Sequence, residues 1–338
     1  MDKPLALFRC DASPKIGAGH VTRCLALSEA LAAAGWRVIF AVGSETSKTA
    51  PALFASGFEF RECDSPPGVQ PAILGEYVDG NADLLVIDHY QLDATFERAC
   101  RLWAKCILVL DDETGRRHDC DILADAGAPD GSCYAPYVTD ATRIYVGPQY
   151  ALIRQAFVGR REAALKRRDG RAVRDIFVSF GATDAQDAIT RSLEVLKELP
   201  TSVTLTIALS RSVLKLDELR QHCDTRTRLL FDISDLSQIM TDADLAIGAA
   251  GATAFERAVV GLPSAIVTLA DNQRNICQRL VEQGAAVDIG RLDINFPSRL
   301  SSLLHELVVD GTRRVRMAQA ASNLVDGRGP IRLAQVCK

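Results

Sequence analysis

The sequence lacks several features that would assign a class of protein at once. Its 338 residues carry 39 Lys and Arg against 43 Asp and Glu, so the basic excess of a nucleic-acid binder is missing. No apolar run approaches the roughly 20 residues that span a bilayer. None of the 10 cysteines forms a Cys-x-x-Cys pair, which argues against a zinc ribbon or a thioredoxin motif. What remains is an ordinary globular chain, and at about 150 residues per domain its length predicts two domains.

The amino-terminal residues show no signal peptide. Residues 1–4 lead directly into a short predicted strand. Cysteines such as Cys24 and Cys277 lie in apolar helical stretches, as is typical of buried thiols. We therefore expect a reduced, cytoplasmic protein with no membrane span.

Two halves of the chain repeat the same alternation of short apolar strands and amphipathic helices. In the first half, residues 5–9 are a predicted strand, residues 20–34 a helix closed by Gly35, and residues 37–42 the next strand. After an Arg-rich and Lys-rich stretch the pattern restarts with a strand at residues 176–180. The sequence therefore predicts an α/β fold of two doubly wound Rossmann-like domains that face a cleft, where a ligand would bind.

The predicted domain boundaries follow from this restart. We place the first domain at residues 1–158 and the second at residues 175–338. The charged stretch between them, residues 159–174, has the composition of a linker.

A glycine-rich loop precedes the first long helix. Gly17 and Gly19 flank Ala18, and His20 follows at the predicted helix start. Glycines let the backbone approach a ligand, and a helix amino terminus favours an anion such as a diphosphate. The same field disfavours a charged imidazole, so His20 is a candidate neutral base. A tight turn with a capping histidine is an equally good interpretation of this motif alone.

A second small-residue loop, residues 248–253, precedes a helix that contains Glu256. Thr253 is a candidate donor to a phosphate, and the Glu256 carboxylate is a candidate acceptor for the two hydroxyls of a ribose. The same spacing is typical of a capping box, in which Thr253 caps the helix and Glu256 bonds back to it. Taken alone, the pattern favours that structural interpretation.

Three further loops follow predicted strands. Residues 179–184 form a strand-to-helix turn, for which a helix cap is the simplest explanation. Residues 88–90 end a buried strand, where side chains face the ligand crevice of a parallel sheet. Residues 270–273 are candidates to contact sugar hydroxyls or amides, and Asp271 or Asn272 could also cap the next helix.

A dense polar cluster occupies residues 111–121 and includes His118 and Cys120. It could hold a divalent cation or zinc, but a lone His-x-Cys lacks the second spaced pair of a zinc site. A hydrogen-bonded loop is the better explanation, and we interpret His89 in the same way. We therefore predict neither a metal nor a cofactor.

The motifs are more specific as an ordered set than singly. They are Arg9-Cys10-Asp11-Ala12-Ser13, Gly17-Ala18-Gly19-His20, Arg23-Cys24-Leu25, Asp88-His89-Tyr90, Asp111-Asp112, His118-Asp119-Cys120-Asp121, Gly147-Pro148, Leu152-Ile153-Arg154, Ser179-Phe180-Gly181, Gly251 to Arg257, Gly261-Leu262-Pro263 and Ala270-Asp271-Asn272-Gln273. This set resembles the UDP-2,4-diacetamido-2,4,6-trideoxy-β-L-altropyranose hydrolase family of pseudaminic acid biosynthesis, over about residues 9–329.

The resemblance implies a glycosyltransferase-B-type architecture, similar to that of the N-acetylglucosaminyltransferase of peptidoglycan synthesis, and a link to flagellin glycosylation. It implies that His20 is the catalytic residue and that the carboxy-terminal domain holds UDP without a metal. The other site residues it implies are, for the sugar, Gly17, Gly19, Arg23, Tyr90, Asn272 and Gln273, and, for UDP, Gly181, Ile233, Gly251, Ala252, Thr253 and Glu256.

We therefore expect a hydrolase that splits a UDP-linked 2,4-diacetamido-2,4,6-trideoxy hexose into UDP and free sugar, with inversion. One base can suffice because the diphosphate leaving group is already a stable anion. The alternatives are a glycosyltransferase that moves the same sugar to an acceptor, and a binding subunit without turnover. A dinucleotide dehydrogenase is disfavoured, since no Gly-x-Gly-x-x-Gly follows the first strand. The expected partner is the UDP-sugar, and the oligomeric state is left open.

Overall fold

The protein is described from a computed structural model that covers residues 3–181, 185–209 and 216–337. Its strands are β1 (Leu5–Cys10), β2 (Arg37–Val42), β3 (Glu59–Glu62), β4 (Leu84–Asp88), β5 (Ile107–Leu110), β6 (Ile122–Asp125), β7 (Arg143–Val146), β8 (Asp175–Ser179), β9 (Thr204–Leu209), β10 (Thr227–Phe231), β11 (Leu245–Ala249), β12 (Ser264–Val267) and β13 (Val287–Gly290).

The helices alternate with these strands along the chain. They are α1 (Gly19–Ala33), α2 (Thr46–Thr49), α3 (Pro51–Ala55), α4 (Gln70–Tyr77), α5 (Ala94–Cys100), α6 (Gln155–Arg167), α7 (Ala185–Leu196), α8 (Leu216–Gln221), α9 (Ser237–Asp242), α10 (Ala252–Val259), α11 (Arg274–Glu282), α12 (Phe296–Val309), α13 (Gly311–Leu324) and α14 (Gly329–Val336). Across the described ranges, no helix is both long enough and apolar enough to cross a membrane.

The chain divides into two compact units. Unit 1 comprises Met1–Arg154 and Gly327–Lys338, and unit 2 comprises Gln155–Asp326. The sheet of unit 1 has the order β3-β2-β1-β4-β5-β6-β7, and that of unit 2 has the order β10-β9-β8-β11-β12-β13. Neighbouring strands pair in parallel in both sheets. These orders confirm the predicted pair of doubly wound α/β domains.

Each sheet is covered on both faces, which explains the continuous apolar runs of its strands. In β4, Leu84 and Val86 pack into the core on one face, while Leu85 and Ile87 pack into the core on the other. Successive side chains of a strand point to opposite faces, so a strand buried on both sides has no polar alternation. The apolar runs of the sequence therefore mark the central strands correctly.

The strand order reverses once in each sheet, and this reversal positions the candidate sites. In unit 1 the reversal lies between β1 and β4, and in unit 2 it lies between β8 and β11. The connections leave these neighbouring strands in opposite directions, which opens a crevice outside their carboxyl ends. Most of the loops that the sequence predicts as functional follow these four strands, whereas residues 270–273 follow β12.

The carboxy-terminal residues differ from the predicted boundaries. We predict that the second domain reaches residue 338, but α14 belongs to unit 1. Leu333 and Cys337 are buried in the same core as residues of α1. A Cβ on Gly329 would lie 2.2 Å from the carbonyl oxygen of Ala151, so only glycine lets the returning chain pass there. Burial of the apolar face of α14, worth about 2 kcal/mol for a leucine, holds this return in place.

The predicted linker at residues 159–174 also differs from the structure. Most of it is α6, a regular part of unit 2. Phe157 and Ala164 are buried along one side of this helix. Its arginines act as donors to carbonyl groups: Arg161 donates to the oxygens of Val259 (2.5 Å) and Ser322 (2.6 Å). The charge of this stretch therefore stabilises helix carboxyl termini and does not indicate a solvated connection.

Candidate active site

His20 lies in the first turn of α1, directly after a glycine that reverses the chain. Gly17 has a φ of +76°, a conformation that costs glycine little, and its N–H donates to the oxygen of Ser13 at 2.8 Å. Helix α1 begins at Gly19, and no side chain caps its first turn. The loop after β1 therefore brings His20 and the first amides of α1 to the crevice of unit 1.

The His20 imidazole is hydrogen-bonded to a carboxylate that the sequence analysis did not pair with it. Its Nδ1 contacts Oδ1 of Asp88, the last residue of β4. Asp88 stands opposite Cys10 in the β1–β4 register, so the two strands place the carboxylate beside the loop that carries His20. With the Nδ1 proton donated to Asp88, the ring presents its lone pair at Nε2. This is the arrangement of a histidine base and its orienting acid.

Arg23 holds the Asp88 carboxylate from the next turn of α1. Its Nε and Nη2 donate to the two Asp88 oxygens at 2.5 and 2.6 Å, and its Nη1 donates to Asp112 at 2.8 Å. Burial alone would raise the pKa of Asp88, but the charge of Arg23 and the hydrogen bonds from Arg23 and His20 lower this pKa well below its usual value. Asp88 is therefore a carboxylate at neutral pH. Arg23, which we predict as a sugar contact, has its guanidinium engaged by two acids.

Tyr90 completes the group around His20. The two rings meet edge to face, with centroids 4.5 Å apart and an interplanar angle of 87°. The Tyr90 hydroxyl is hydrogen-bonded to Asp112, and the Arg116 guanidinium lies 5.9 Å from the Tyr90 ring centroid. Burial and the charge of Asp112 raise the pKa of Tyr90, so its hydroxyl remains a donor. The structure thus brings the predicted residues His20, Arg23 and Tyr90 together.

His20 itself is only 5% exposed. Its Nδ1 contacts Asp88 and lies 3.4 Å from Nη2 of Arg23, which donates to Asp88 and not to the ring. Shielding from bulk water strengthens the electrostatic interaction between the imidazole and Asp88. A role as base requires that the remaining exposed part of the ring include Nε2.

A second histidine–aspartate pair flanks this group. His89 Nε2 lies 2.9 Å from Asp11 Oδ2, and Asp11 also accepts hydrogen bonds from Arg9 (2.5 and 3.0 Å) and from the Gly43 amide (2.6 Å). Burial alone would raise the pKa of Asp11, but hydrogen bonds from His89 and Arg9 lower it strongly. The other ring nitrogen of His89, Nδ1, accepts from the Gln91 amide at 3.1 Å, so His89 has the contacts of the hydrogen-bonded loop residue that the sequence predicts.

The polar cluster of residues 111–121 forms buried ion pairs. His118 Nδ1 lies 2.7 Å from Glu97 Oε1, and its Nε2 lies 3.7 Å from Asp111 Oδ2. Burial alone would lower the pKa of His118, but its contacts with Asp111 and Glu97 raise this pKa to about 9. The ring is therefore an imidazolium at neutral pH, already paired with acids. Within residues 3–181, 185–209 and 216–337, no group of three or more His, Cys, Asp and Glu is arranged to hold a metal ion.

In unit 2, the end of β11 lies close against its neighbour β8. A Cβ on Gly248 would lie 2.2 Å from the oxygen of Ser179, the last residue of β8, so this position requires glycine. Gly251 is the N-cap of α10 and uses no side chain to cap it. The capping box predicted for Thr253 is therefore wrong, because Thr253 lies inside the helix. The first amides of α10 are available to an anion, as the second predicted loop requires.

The 270–273 motif lies beside this loop. Gln273 accepts a hydrogen bond from the amide of Leu269 at 3.0 Å, and its Nε2 would lie 3.7 Å from a Cβ on Gly251. Residues Asp271–Gln273 form a 3-10 helix, and Gln273 is the N-cap of α11. The predicted caps at Asp271 and Asn272 are therefore wrong. The structure brings Gln273 next to the candidate diphosphate loop.

A cavity of about 810 Å³ opens at the same edge of unit 2. Its lining includes Phe180 after β8, Thr268 after β12, and Gln273, Cys277 and Asp288. Its volume is in the range of small-molecule sites. Gln273 thus connects the candidate diphosphate loop with a space large enough for a ligand group.

The remaining predicted UDP contacts are distributed along the same edge. Gly181 follows β8 with a φ of +87°, and residues 182–184 of that predicted loop lie outside the described residues. Ile233 follows β10 and is 42% exposed, which is unusual for an isoleucine. Glu256 is buried on α10, one turn beyond Thr253. Ile233 lies after an edge strand, two strands away from β8.

Sequence reasoning missed two acids of unit 1. Asp112 accepts hydrogen bonds from Arg23 and Tyr90, and Asp125, at the end of β6, is hydrogen-bonded to the Tyr134 hydroxyl at 2.9 Å. Burial raises the pKa of Asp125 to about 6. Their place in the sequence could have identified them, because both acids lie where predicted buried parallel strands end.

Comparison with known proteins supports the assignment of the fold. Residues 175–327 match the glycosyltransferase family 28 C-terminal domain. The chain resembles MurG of Acinetobacter baumannii, with a TM-score of 0.68 at 16% identity over 99% of each chain. It also resembles Anabaena HepE, solved with UDP and glucose, with a TM-score of 0.65 at 12% identity over 98% of this chain and 99% of that one. The fold is that of the glycosyltransferase-B class.

Two curated relatives are similar in sequence. The UDP-2,4-diacetamido-2,4,6-trideoxy-β-L-altropyranose hydrolase of Campylobacter jejuni is 26% identical over 287 residues, which cover 83% of this chain and 98% of the relative. The spore coat polysaccharide biosynthesis protein SpsG of Bacillus subtilis is 24% identical over 204 residues, and the match spans 59% of each protein. Together with the family 28 match, these similarities support an enzyme of the glycosyltransferase-B class that acts on a nucleotide sugar.

Proposed function

We propose that the protein hydrolyses a UDP-linked 2,4-diacetamido-2,4,6-trideoxy hexose of altropyranose type to UDP and the free sugar, as a step of pseudaminic acid biosynthesis. The observation that carries the proposal is the His20–Asp88–Arg23 group at the crevice of unit 1. The overall similarity to the Campylobacter hydrolase supports the choice of substrate.

In the proposed reaction, the oxygen of a water molecule attacks the anomeric carbon. The bond from that carbon to the β-phosphate oxygen breaks, and UDP leaves with the electron pair. The proton of the water passes to Nε2 of His20, and the Asp88 carboxylate stabilises the imidazolium that forms. Attack opposite the leaving group inverts the anomeric centre. No acid is needed, because the leaving diphosphate is stable as an anion.

Unit 2 supplies the binding part of the proposal. The Gly251, Ala252 and Thr253 amides would hold the diphosphate at the start of α10, and Glu256 would accept from the ribose hydroxyls. Gly181 and Ile233 would contact the nucleotide from β8 and β10. Gly17, Gly19, Tyr90, Asn272 and Gln273 would contact the sugar. Amides aimed at the leaving diphosphate stabilise the charge that grows on it in the transition state.

A glycosyltransferase is the second candidate, favoured by the family 28 match. It would bind the same nucleotide sugar but pass the sugar to an acceptor hydroxyl in place of water. The two reactions differ in one observable. A hydrolase releases a free reducing sugar when no acceptor is present, whereas a transferase does not.

Proton NMR of the pure protein with a panel of UDP-diacetamido sugars tests the proposal. We expect UDP and free sugar to appear together, with the first-formed anomer inverted. His20→Asn should keep UDP affinity and lose about 10²–10⁴-fold in turnover, the usual contribution of a general base. His305→Asn, on an exposed side chain of α12, is the matched control and should retain activity.

Three outcomes would contradict the proposal. Full turnover in the His20→Asn protein would remove His20 as the base. The absence of UDP after prolonged incubation with every sugar would indicate a binding subunit, and UDP release only with an added acceptor would indicate a transferase.

A further inference from the structure

Unit 2 contains a buried cation that the proposed mechanism does not use. Arg257 lies on α10 and is 1% exposed. Its Nη2 donates to the carbonyl oxygen of Ala249 at 2.7 Å, and its Nη1 lies 3.5 Å from the hydroxyl of Thr253. Its Nε is buried without a hydrogen-bond partner. The hydrogen-bond partners of the guanidinium are therefore uncharged oxygens, whereas a buried cation is normally paired with an acid.

The guanidinium lies at the switch point of the second sheet. A Cβ on Gly248 would lie 2.8 Å from Nη1 of Arg257 and 2.2 Å from the oxygen of Ser179. The charge is therefore packed against the backbone where β11 meets β8. It lies below the 248–253 loop and next to the strand end that leads to Gly181.

The position is electrostatically unfavourable without an anion nearby. Two other arginines of unit 2 donate to helix carboxyl termini: the partly buried Arg168 donates to Met240 in α9, and the buried Arg314 donates to Leu307 in α12. A helix dipole favours a cation there. Arg257 instead contacts Thr253 in the first turn of α10, at the positive end of the dipole.

The neighbouring acid only partly offsets this charge. Burial lowers the pKa of Arg257 to about 10, and the charge of Glu256 acts in the opposite direction. The guanidinium remains charged at neutral pH. In the proposed function, Glu256 also accepts hydrogen bonds from a ribose. Its carboxylate would therefore interact both with the charge of Arg257 and with the ribose hydroxyls.

We propose that Arg257 is a positioning residue for the diphosphate: it holds Thr253 and the 248–253 loop, and its buried charge is neutralised when a nucleoside diphosphate binds. The identity of the ligand rests on the proposed function. Arg257 lies behind the loop and contacts the loop, not the ligand. It would therefore contribute to the part of the UDP affinity that depends on the phosphates.

Calorimetric titration with UDP and with uridine separates this role from a structural one. Uridine has the same base and ribose but no phosphate. We expect Arg257→Met to weaken UDP binding about tenfold to hundredfold, the range for losing a charge-assisted interaction, and to leave uridine binding within about twofold. Arg257→Lys keeps the charge and should retain most of the preference for UDP.

The matched control is Arg168→Met, which removes a partly buried guanidinium of unit 2 whose contacts are also carbonyl groups. It should lower the melting temperature and leave the ratio of UDP to uridine affinity unchanged. Should Arg257→Met fail to fold, Arg257→Lys and Thr253→Val carry the test. Thr253→Val removes only the hydroxyl contact and should reduce UDP affinity a few-fold without changing that of uridine.

Three results would overturn the inference. One is an unchanged ratio of UDP to uridine affinity in folded Arg257→Met, or in Thr253→Val where that variant carries the test. Another is an equal loss of UDP affinity in Arg257→Lys and Arg257→Met, which would mean that the shape of the side chain matters and its charge does not. The third is a wild-type protein that binds UDP no better than uridine. By contrast, UDP binding without any hydrolysis would remove the proposed reaction and leave the role of Arg257 supported.

Discussion

Units 1 and 2 share a strand order but differ in what stands at the carboxyl ends of their strands. In unit 1 the strands next to the switch point lead to polar side chains, with Asp88 at the end of β4 and His20 and Arg23 on the helix after β1. In unit 2 the corresponding strands lead to Gly181 and to the small residues of the 248–253 loop. One crevice therefore presents titratable groups, and the other presents backbone amides with a buried arginine behind them.

In the function that we propose, this difference divides two tasks between the units. A proton can move only to a group that titrates, so we assign the activation of water to unit 1. Backbone amides cannot take up a proton, but they hold an anion at a fixed position without changing charge, so we assign the diphosphate to unit 2. In this proposal the crevice of a doubly wound sheet serves as a reaction site or as a binding site according to the residues at its rim.

The largest expected effect comes from the acid that orients the base. Asp88→Asn should lower turnover about 10³–10⁴-fold, because an amide does not favour the required tautomer of His20 and does not stabilise its imidazolium. UDP affinity should stay the same, since the change lies in unit 1. Steady-state kinetics with UDP titration checks both expectations.

Asp83→Asn is the control for that variant. Asp83 lies just before the opposite end of β4, where it accepts from Leu5 and Lys105 at 2.8 Å. It should retain turnover. Equal losses in the two proteins would mean that any damage to β4 reduces activity, and the assignment of chemistry to unit 1 would fail.

The second effect concerns stability and is confined to unit 1. The pKa of His118 is raised to about 9 in the folded protein, so its contribution to stability is complete below the unfolded value near 6.5 and is lost as the pH rises through 9. The free energy of unfolding of unit 1 should fall by roughly 3 kcal/mol between pH 6.5 and 9. Trp36 and Trp103 are the chain's two tryptophans and both belong to unit 1, so their fluorescence in urea reports this unit.

His118→Gln should flatten that dependence on pH. It should also lower stability at pH 6.5, since Glu97 loses its cation and Asp111 keeps only Arg116. A wild-type slope that persists in this variant would place the titrating group elsewhere in unit 1.

The third effect tests unit 2 as a binding site. Glu256→Gln should weaken the binding of UDP about tenfold and abolish any preference for UDP over 2′-deoxy-UDP. The reason is that a carboxylate accepts a hydrogen bond from a ribose hydroxyl more strongly than an amide does. Turnover at saturating substrate should change little. Glu282→Gln, at an exposed position of α11, is the control. A loss in turnover with unchanged affinity would reverse the roles that we assign to the two units.

Local patterns in the sequence were enough to predict the fold. The apolar strands, the helix that Gly35 follows with a φ of +92°, and the small-residue loops before α1 and α10 are all signals within a few residues, and the structure has them. Burial of α14 against α1 depends on residues at opposite ends of the chain, so the boundary of the second domain was wrong. Charge in α6 was misleading because its arginines have carbonyl partners in the folded protein.

The candidate site was predictable in part for the same reason. Gly17, His20 and Gly251 stand in local motifs, so the sequence identifies them. His20 and Asp88 are separated by 68 positions and meet only through the β1–β4 register. The partner of a residue is a property of the assembled sheet, whereas its type and its loop are properties of the sequence.

The smallest effect comes from a single hydroxyl and separates two contributions of Tyr90. Tyr90→Phe keeps the ring against His20 but removes the hydrogen bond to Asp112, so kcat/KM should fall only about three- to tenfold, as expected for one lost hydrogen bond. Tyr90→Ala also removes the ring, so its kcat/KM should fall further. Equal losses would mean that the hydroxyl alone matters, and that the edge-to-face contact with His20 does not help to hold the base. Unequal losses, together with unchanged UDP affinity in both variants, would confine the role of Tyr90 to the reactive crevice of unit 1.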